Sequence, residues 1–205
     1  MEMAAVVTAF VTLFIVIDPI GMAPIFVALT SGMSDAERRS IARRACLIAL
    51  CILTVFALFG AALLSAVGIS LTAFRISGGI LLFLIAVEML FERRTQRREG
   101  SIPSDSAQDP SVFPLATPLI AGPGSMATMI LLVTGADQSW VQDAAMIVVM
   151  AAVVGLVYGL FLLATPIEKL LGRTGVLVVT RLLGVLLAAL SVQFILDGLR
   201  EAGFV

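Results

Sequence analysis

Apolar residues dominate this chain in long blocks separated by short polar connections. A helix needs about 20 predominantly apolar residues to cross a bilayer, and six stretches meet that length: 3–32, 45–67, 71–91, 112–135, 143–165 and 176–198. The first is not expected to be a cleavable signal: its only early charge is Glu2, nothing basic precedes it, and its apolar stretch is too long. The one long connection, Glu92 to Ser111 (ERRTQRREGSIPSDSAQDPS), is rich in Ser, Pro and charge and reads as a flexible surface loop. The pattern predicts an all-α membrane protein with six transmembrane helices and no soluble domain.

Composition agrees. Of 205 residues 60% are hydrophobic and 13% charged, with a mean hydropathy of +1.11, against roughly 45–50% and about 25% in soluble domains. A net charge of −1 leaves no basic field for nucleic acid. There is no His, so the commonest metal ligand and the usual near-neutral acid–base group are missing. Cys46 and Cys51 lie five apart, on separate faces of a helix, and read as packing residues. No metal and no cofactor is expected.

Basic residues accumulate on the cytoplasmic side of membrane proteins. Ten of the 13 Lys and Arg residues fall in the connections after spans one, three and five. Both termini, and Trp140 as an aromatic anchor, are therefore expected on the outer side. The loop 93–111 is expected in the cytoplasm.

The two halves repeat their landmarks. Asp18-Pro19 and Pro24 match Thr117-Pro118 and Pro123 at an offset of 99 residues. The capping-box patterns Ser34…Glu37 and Ser139…Gln142 match at 105, and Phe74-Arg75-Ile76-Ser77-Gly78 matches Thr180-Arg181-Leu182-Leu183-Gly184 at 106. An odd number of spans per half makes the second half enter upside down. The expected domains are a first three-helix repeat (1–92), the linker (93–111) and a second, inverted repeat (112–205). Inverted repeats are common in secondary transporters, whose substrate site lies near the midplane at broken helices.

Spans one and four carry such breaks. A straight helix over span one would be ~45 Å long against a hydrocarbon core of ~30 Å. Pro19 and Pro24 remove two N–H donors and clash with the carbonyls of Ile15 and Ile20. Span four is more disrupted, with Pro114, Pro118, Pro123, Gly122 and Gly124 in VFPLATPLIAGPGSM. Irregular backbone at membrane depth belongs beside protein or a water-filled cavity, so the breaks mark a candidate site. A helix restarting after Gly21-Met22, or after Pro123-Gly124, offers N–H groups to a carboxylate. Carbonyls around Ile15 to Asp18 and Pro114 to Thr117, with the Asp18 carboxylate, suit an ammonium group. The small residues Gly21, Ala23, Ala121, Gly122, Gly124 and Ser125 leave little room for a side chain. The inventory fits a small zwitterion.

Three roles are open to Asp18: binding a cation or amine, carrying a coupling proton, or capping backbone donors beside Pro19. Arg75 and Arg181 are supporting charges that snorkel toward the interface or pair with Asp18. Glu88 and Glu92 are expected near the interface. Gly155 and Gly159, Gly78-Gly79, and Gly184 are expected to pack neighbouring helices, within one subunit or between subunits of an oligomer. Thr165-Pro166-Ile167-Glu168 has the form of a capped short interfacial helix. No phosphate-binding loop is present, and Ser125 with Asp18 forms the one pairing that tempts toward an intramembrane hydrolase. Without His, the chain does not read as an enzyme.

The blocks DPIGMAPIF, FRISGGILLFLIAVEML, VFPLATPLIAGPGSM and TRLLGVLLAALSVQFILDGL resemble the MarC family of bacterial inner-membrane proteins, in the lysine-exporter-like superfamily. The similarity spans the chain outside the linker. Its SnatA-like branch implies transport of small neutral amino acids such as glycine and alanine. It also implies a site around Asp18, Pro19, Gly21 and Pro24 and around Pro118, Gly122, Pro123 and Gly124. The expected function is a secondary transporter working by alternating access, with export favoured by the superfamily and a proton or sodium ion as coupling ion. A passive channel, or a transporter of another small solute, is the alternative.

Overall fold

The computed structural model describes residues 3–93, 109–134 and 140–204. Most of the linker and Ser139, with its proposed cap, lie outside the described residues. The elements are α1 (Met3–Ile17), α2 (Pro19–Leu29), α3 (Asp35–Val67), α4 (Leu71–Leu90), the irregular α5 (Ser111–Ile120), α6 (Pro123–Val133), α7 (Trp140–Leu162) and α8 (Ala164–Glu201). No strand occurs among the described residues. Among the described residues five apolar helical stretches are long enough to cross a membrane, α1 and α2 counting together as one (Met3–Leu29), and a sixth crossing results if α5 and α6, bent by 53°, form one span. The six stretches read from hydropathy correspond to these.

The surface confirms the solvent. Leu58, Phe59, Leu63, Val148 and Leu182 are each more than half exposed on long helices. Apolar side chains on the outside of closed helices are what a hydrocarbon surround requires. Inside, Ala42, Ala45 and Ala49 line one face of α3 and are fully buried, letting α3 approach α5, α6 and α7 closely.

Helix ends follow the local chemistry. Ser34 and Glu37 cap each other reciprocally at the start of α3, with Ser34 N donating to Glu37 Oε2 at 2.8 Å. Asp109 accepts from Ser111 N at 3.0 Å and Ser111 Oγ at 2.6 Å, and pairs with Arg44 at 2.8 Å. The Ser111 hydroxyl and amide, with Arg44, hold the Asp109 carboxyl below the ordinary aspartate range against a small opposing effect of burial. This pins the start of α5 to α3.

Antiparallel α4 and α8 pack along their lengths. A Cβ on Gly79 would come 2.9 Å from Ser191 O, and one on Gly184 would come 3.0 Å from Met89 Cβ. Gly78 lies against Leu131 of α6. These glycines pack helices as expected. Gly155 and Gly159 do not: a Cβ at either meets nothing within 4 Å. Their stripe on α7 faces outward, because α7 turns Val153, Val154 and Val157 to the core instead. Cys46 is buried, whereas Cys51 is exposed and packs against no core.

α8 begins with a short segment, 164–171, that ends where Gly172 takes φ 61°. A short helical segment is present where expected, but its cap residue is Leu163, without a side-chain bond. Thr165 instead accepts a hydrogen bond from Arg38 Nη2 at 3.0 Å.

Candidate functional site

Span one is interrupted one residue before its first proline. Asp18 takes the left-handed conformation, φ 57° and ψ 61°, which a short polar side chain tolerates better than most. α2 then restarts at Pro19, whose missing N–H costs nothing at a first helical position. The Asp18 carboxylate accepts from Gly21 N at 3.1 Å, so it caps α2. A Cβ at residue 21 would fall within 3.0 Å of that carboxylate, so the cap requires glycine there. Asp18 is 1% exposed. Its Oδ1 also faces Thr180 Oγ1 of α8 at 3.5 Å.

Span four breaks differently. Phe113 and Thr117, each preceding a proline, are extended at φ −130°, ψ 126° and φ −131°, ψ 125°, as pre-proline sterics favour. The Phe113–Pro114 and Thr117–Pro118 peptides are cis. The turns in α5 are wide, with Leu115 N donating to Pro110 O at 3.3 Å and Ala121 N to Ala116 O at 2.9 Å. α6 restarts at Pro123 after Gly122. A Cβ on Gly122 would strike the Pro118 carbonyl. Ser125 Oγ accepts from Gly122 N at 2.9 Å and lies 2.7 Å from Ile120 O and 3.0 Å from Gly122 O. Its hydroxyl is thus committed to closing the break.

The helix-starting prolines are Pro19 and Pro123, 104 residues apart. The offset of 99, which pairs Pro19 with Pro118 and Pro24 with Pro123, is corrected. Pro24 sits inside α2 and Pro118 inside α5, and neither starts a helix. The restart expected after Gly21-Met22 likewise moves back to Pro19, and the Gly21 N–H is already occupied by Asp18.

The two breaks meet. A Cβ on Gly124 would lie 3.2 Å from Val16 Cγ1, placing the start of α6 against the end of α1. Asp18, Pro19, Gly21, Gly122, Gly124 and Ser125 are buried, Pro24 and Thr117 are half-buried, and Pro118 and Pro123 are exposed at the margin. The ends of the half-helices differ. Asp18 caps α2, whereas Gly122 supplies no side chain to α6, and no hydrogen bond engages the N–H groups of Gly124 and Ser125 among the described residues. The pairing of Arg75 and Arg181 with Asp18 is not formed. Arg75 bonds Glu201 and Arg181 bonds Glu92, at opposite ends of the α4–α8 pair. Thr180, beside Arg181, is the residue of α8 that reaches Asp18; a hydroxyl within an apolar span was the available signal.

A model of the MarC family of integral membrane proteins matches residues 3–203. The chain belongs to the MarC family. A UPF0056 membrane protein of Archaeoglobus fulgidus is 41% identical over 94% of this chain and 91% of its own length. The Bacillus subtilis UPF0056 membrane protein YvbG is 37% identical over 98% and 96%. The Escherichia coli (strain K12) UPF0056 inner membrane protein YhgN is 34% identical over 97% and 98%. No solved structure matches. As a MarC protein the chain is a multi-pass integral membrane protein, and the broken spans lie within the matched region.

Proposed function

We propose that this MarC protein is a secondary transporter, working as an exporter, of small neutral amino acids such as glycine or alanine. The observation that carries the reading is the meeting of two interrupted spans. There a buried carboxylate, Asp18, and the open N-terminal turn of α6 offer opposite charges to one small zwitterion. Asp18 takes the ammonium group, with Thr180 orienting the carboxylate. The Gly124 and Ser125 N–H groups take the substrate carboxylate, favoured by the helix dipole. Glycines at the seam limit the side chain to hydrogen or methyl.

The wider architecture supports alternating access between two inverted repeats, 1–92 and 112–205, joined by a cytoplasmic linker, 93–111. Exchanging α1–α4 with α5–α8 turns the α2/α8 packing into α6/α4, α3/α5 into α7/α1, and α3/α6 into α7/α2, and all of these pairs occur. The arginine distribution supports both termini outside, and the relative named an inner membrane protein supports that membrane. A proton or sodium ion coupled at Asp18 supplies the energy. The committed Ser125 hydroxyl argues against a hydrolase.

Purified protein in liposomes tests this. It is expected to move labelled glycine and alanine saturably, driven by an imposed proton or sodium gradient. Gly122→Leu is expected to lower the rate at least ten-fold. Flux that never saturates and needs no gradient indicates a passive pore instead, and absence of any binding or movement of small amino acids ends the cargo assignment.

A further inference from the structure

The four arginines at the start of α3 divide into two pairs by what they touch. Arg38 donates to Thr165 and lies 5.7 Å above the Phe26 ring, which stacks on Phe161 at 4.5 Å. Arg44 pairs with Asp109. Arg39 and Arg43 make no hydrogen bond or ion pair among the described residues. They stand one turn apart on an exposed face at the start of α3, a helix long and apolar enough to cross a membrane.

Both line hollows between α3 and the inner end of α7. Arg39 belongs to a cavity of about 340 Å³ that also contains Asp35, Arg38 and Thr165. Arg43 and Tyr158 edge a second hollow of about 260 Å³, whose remaining walls include Leu47, Leu50, Ala151 and Gly155. Because α3 and α7 run antiparallel, the step from Arg39 to Arg43 on one wall matches that from Leu162 to Tyr158 on the other. The two hollows therefore follow one another along the same helix pair, and taken as one trough they are cationic and polar at one end and apolar along the next two turns. Asp35 offsets one of its three arginines. Gly155 keeps its α7 wall low, since nothing stands within 4 Å of a Cβ there.

We propose that this trough is a binding site for one anionic phospholipid. Its phosphate sits between Arg39 and Arg43, and one acyl chain lies in the apolar hollow against Gly155. In a bilayer any open apolar groove is filled by hydrocarbon; the unpaired arginines make this one select a negative headgroup, as basic pockets between transmembrane helices do. The site depends on membrane placement and not on which solute the protein carries.

Native mass spectrometry of the full chain in mild detergent, with equal amounts of phosphatidylglycerol and phosphatidylcholine of the same acyl chains, tests it. The unaltered chain is expected to retain the anionic lipid about ten-fold better. Arg39→Gln with Arg43→Gln is expected to bring the ratio near one. Gly155→Leu, which the open space tolerates, is expected to reduce retention of both lipids. Arg75→Gln, which pairs with Glu201 at the opposite end of the helices from Arg39 and Arg43, is expected to leave the ratio unchanged. Equal retention of the two lipids by the unaltered chain overturns the proposal, as does a preference that survives the double substitution. Displacement of the lipid by glycerol phosphate, with Gly155→Leu without effect, identifies a free-phosphate site and also overturns it. A dimer that holds no selected lipid and dissociates on Gly155→Leu assigns the groove to a second copy of the chain, with the same consequence.

Discussion

Asp18 caps α2, and the proposed function gives it a chemical task as well; substitutions separate the two. Asparagine keeps an oxygen that accepts from Gly21 N but removes the charge; alanine removes both. Loss of an N-cap acceptor costs about 0.5–2 kcal/mol. Asp18→Asn is therefore expected to retain the thermal midpoint of the purified protein while abolishing amino acid transport, and Asp18→Ala to lower both. An Asn variant that transports normally removes the charge from the mechanism. Gly122 makes a different demand, because the atom a Cβ would meet is the Pro118 backbone carbonyl, which has no rotamer with which to withdraw. Gly122→Ala is expected to destabilise by about 1–3 kcal/mol, with Gly155→Ala neutral in the same thermal assay.

At the scale of elements, α4 and α8 are fastened at both ends by Arg75–Glu201 and Arg181–Glu92 and along the middle by glycine contacts. The two fastenings are not equal in weight. Each ion pair has a carboxylate or guanidinium well exposed, and such pairs contribute about 0–1 kcal/mol. The glycine contacts bring one helix against the backbone of the other. Thermal unfolding in detergent is expected to show only a small loss for Arg75→Gln or Arg181→Gln, and a much larger one for Gly79→Leu, which must push Ser191 O away. Equal losses for the two kinds of change would reverse this ranking. The half-helices teach a related lesson. Proline spacing misaligned the two breaks because prolines occur in helix interiors as well as at helix starts. The pairs that start helices are Asp18-Pro19 and Gly122-Pro123, an N-cap-position residue followed by proline at the first helical position.

For the whole molecule, orientation decides which end of the site opens to which compartment. The arginine-bearing ends of α3 and α4 are expected in the cytoplasm. An epitope placed after Val205 is therefore expected to react with antibody added to intact spheroplasts without permeabilisation. Reaction only after permeabilisation inverts the topology and moves the proposed phospholipid site to the other leaflet.

What was legible in one dimension was what the bilayer itself imposes. The length of each apolar block, the place of the basic connections, and the prolines and glycines that no continuous helix accommodates located the crossings and both breaks. Rotation of each helix about its axis was not legible. In a soluble protein the apolar face marks the core, but here lipid and core are equally apolar, so sequence does not say which face meets which. Only the folded chain decided that Gly79 packs while Gly155 faces outward. It alone brought Thr180, 162 positions away, to Asp18, and gave Arg75 and Arg181 to glutamates. Those pairings depend on where distant helices cross, and that is set by close packing of all of them together.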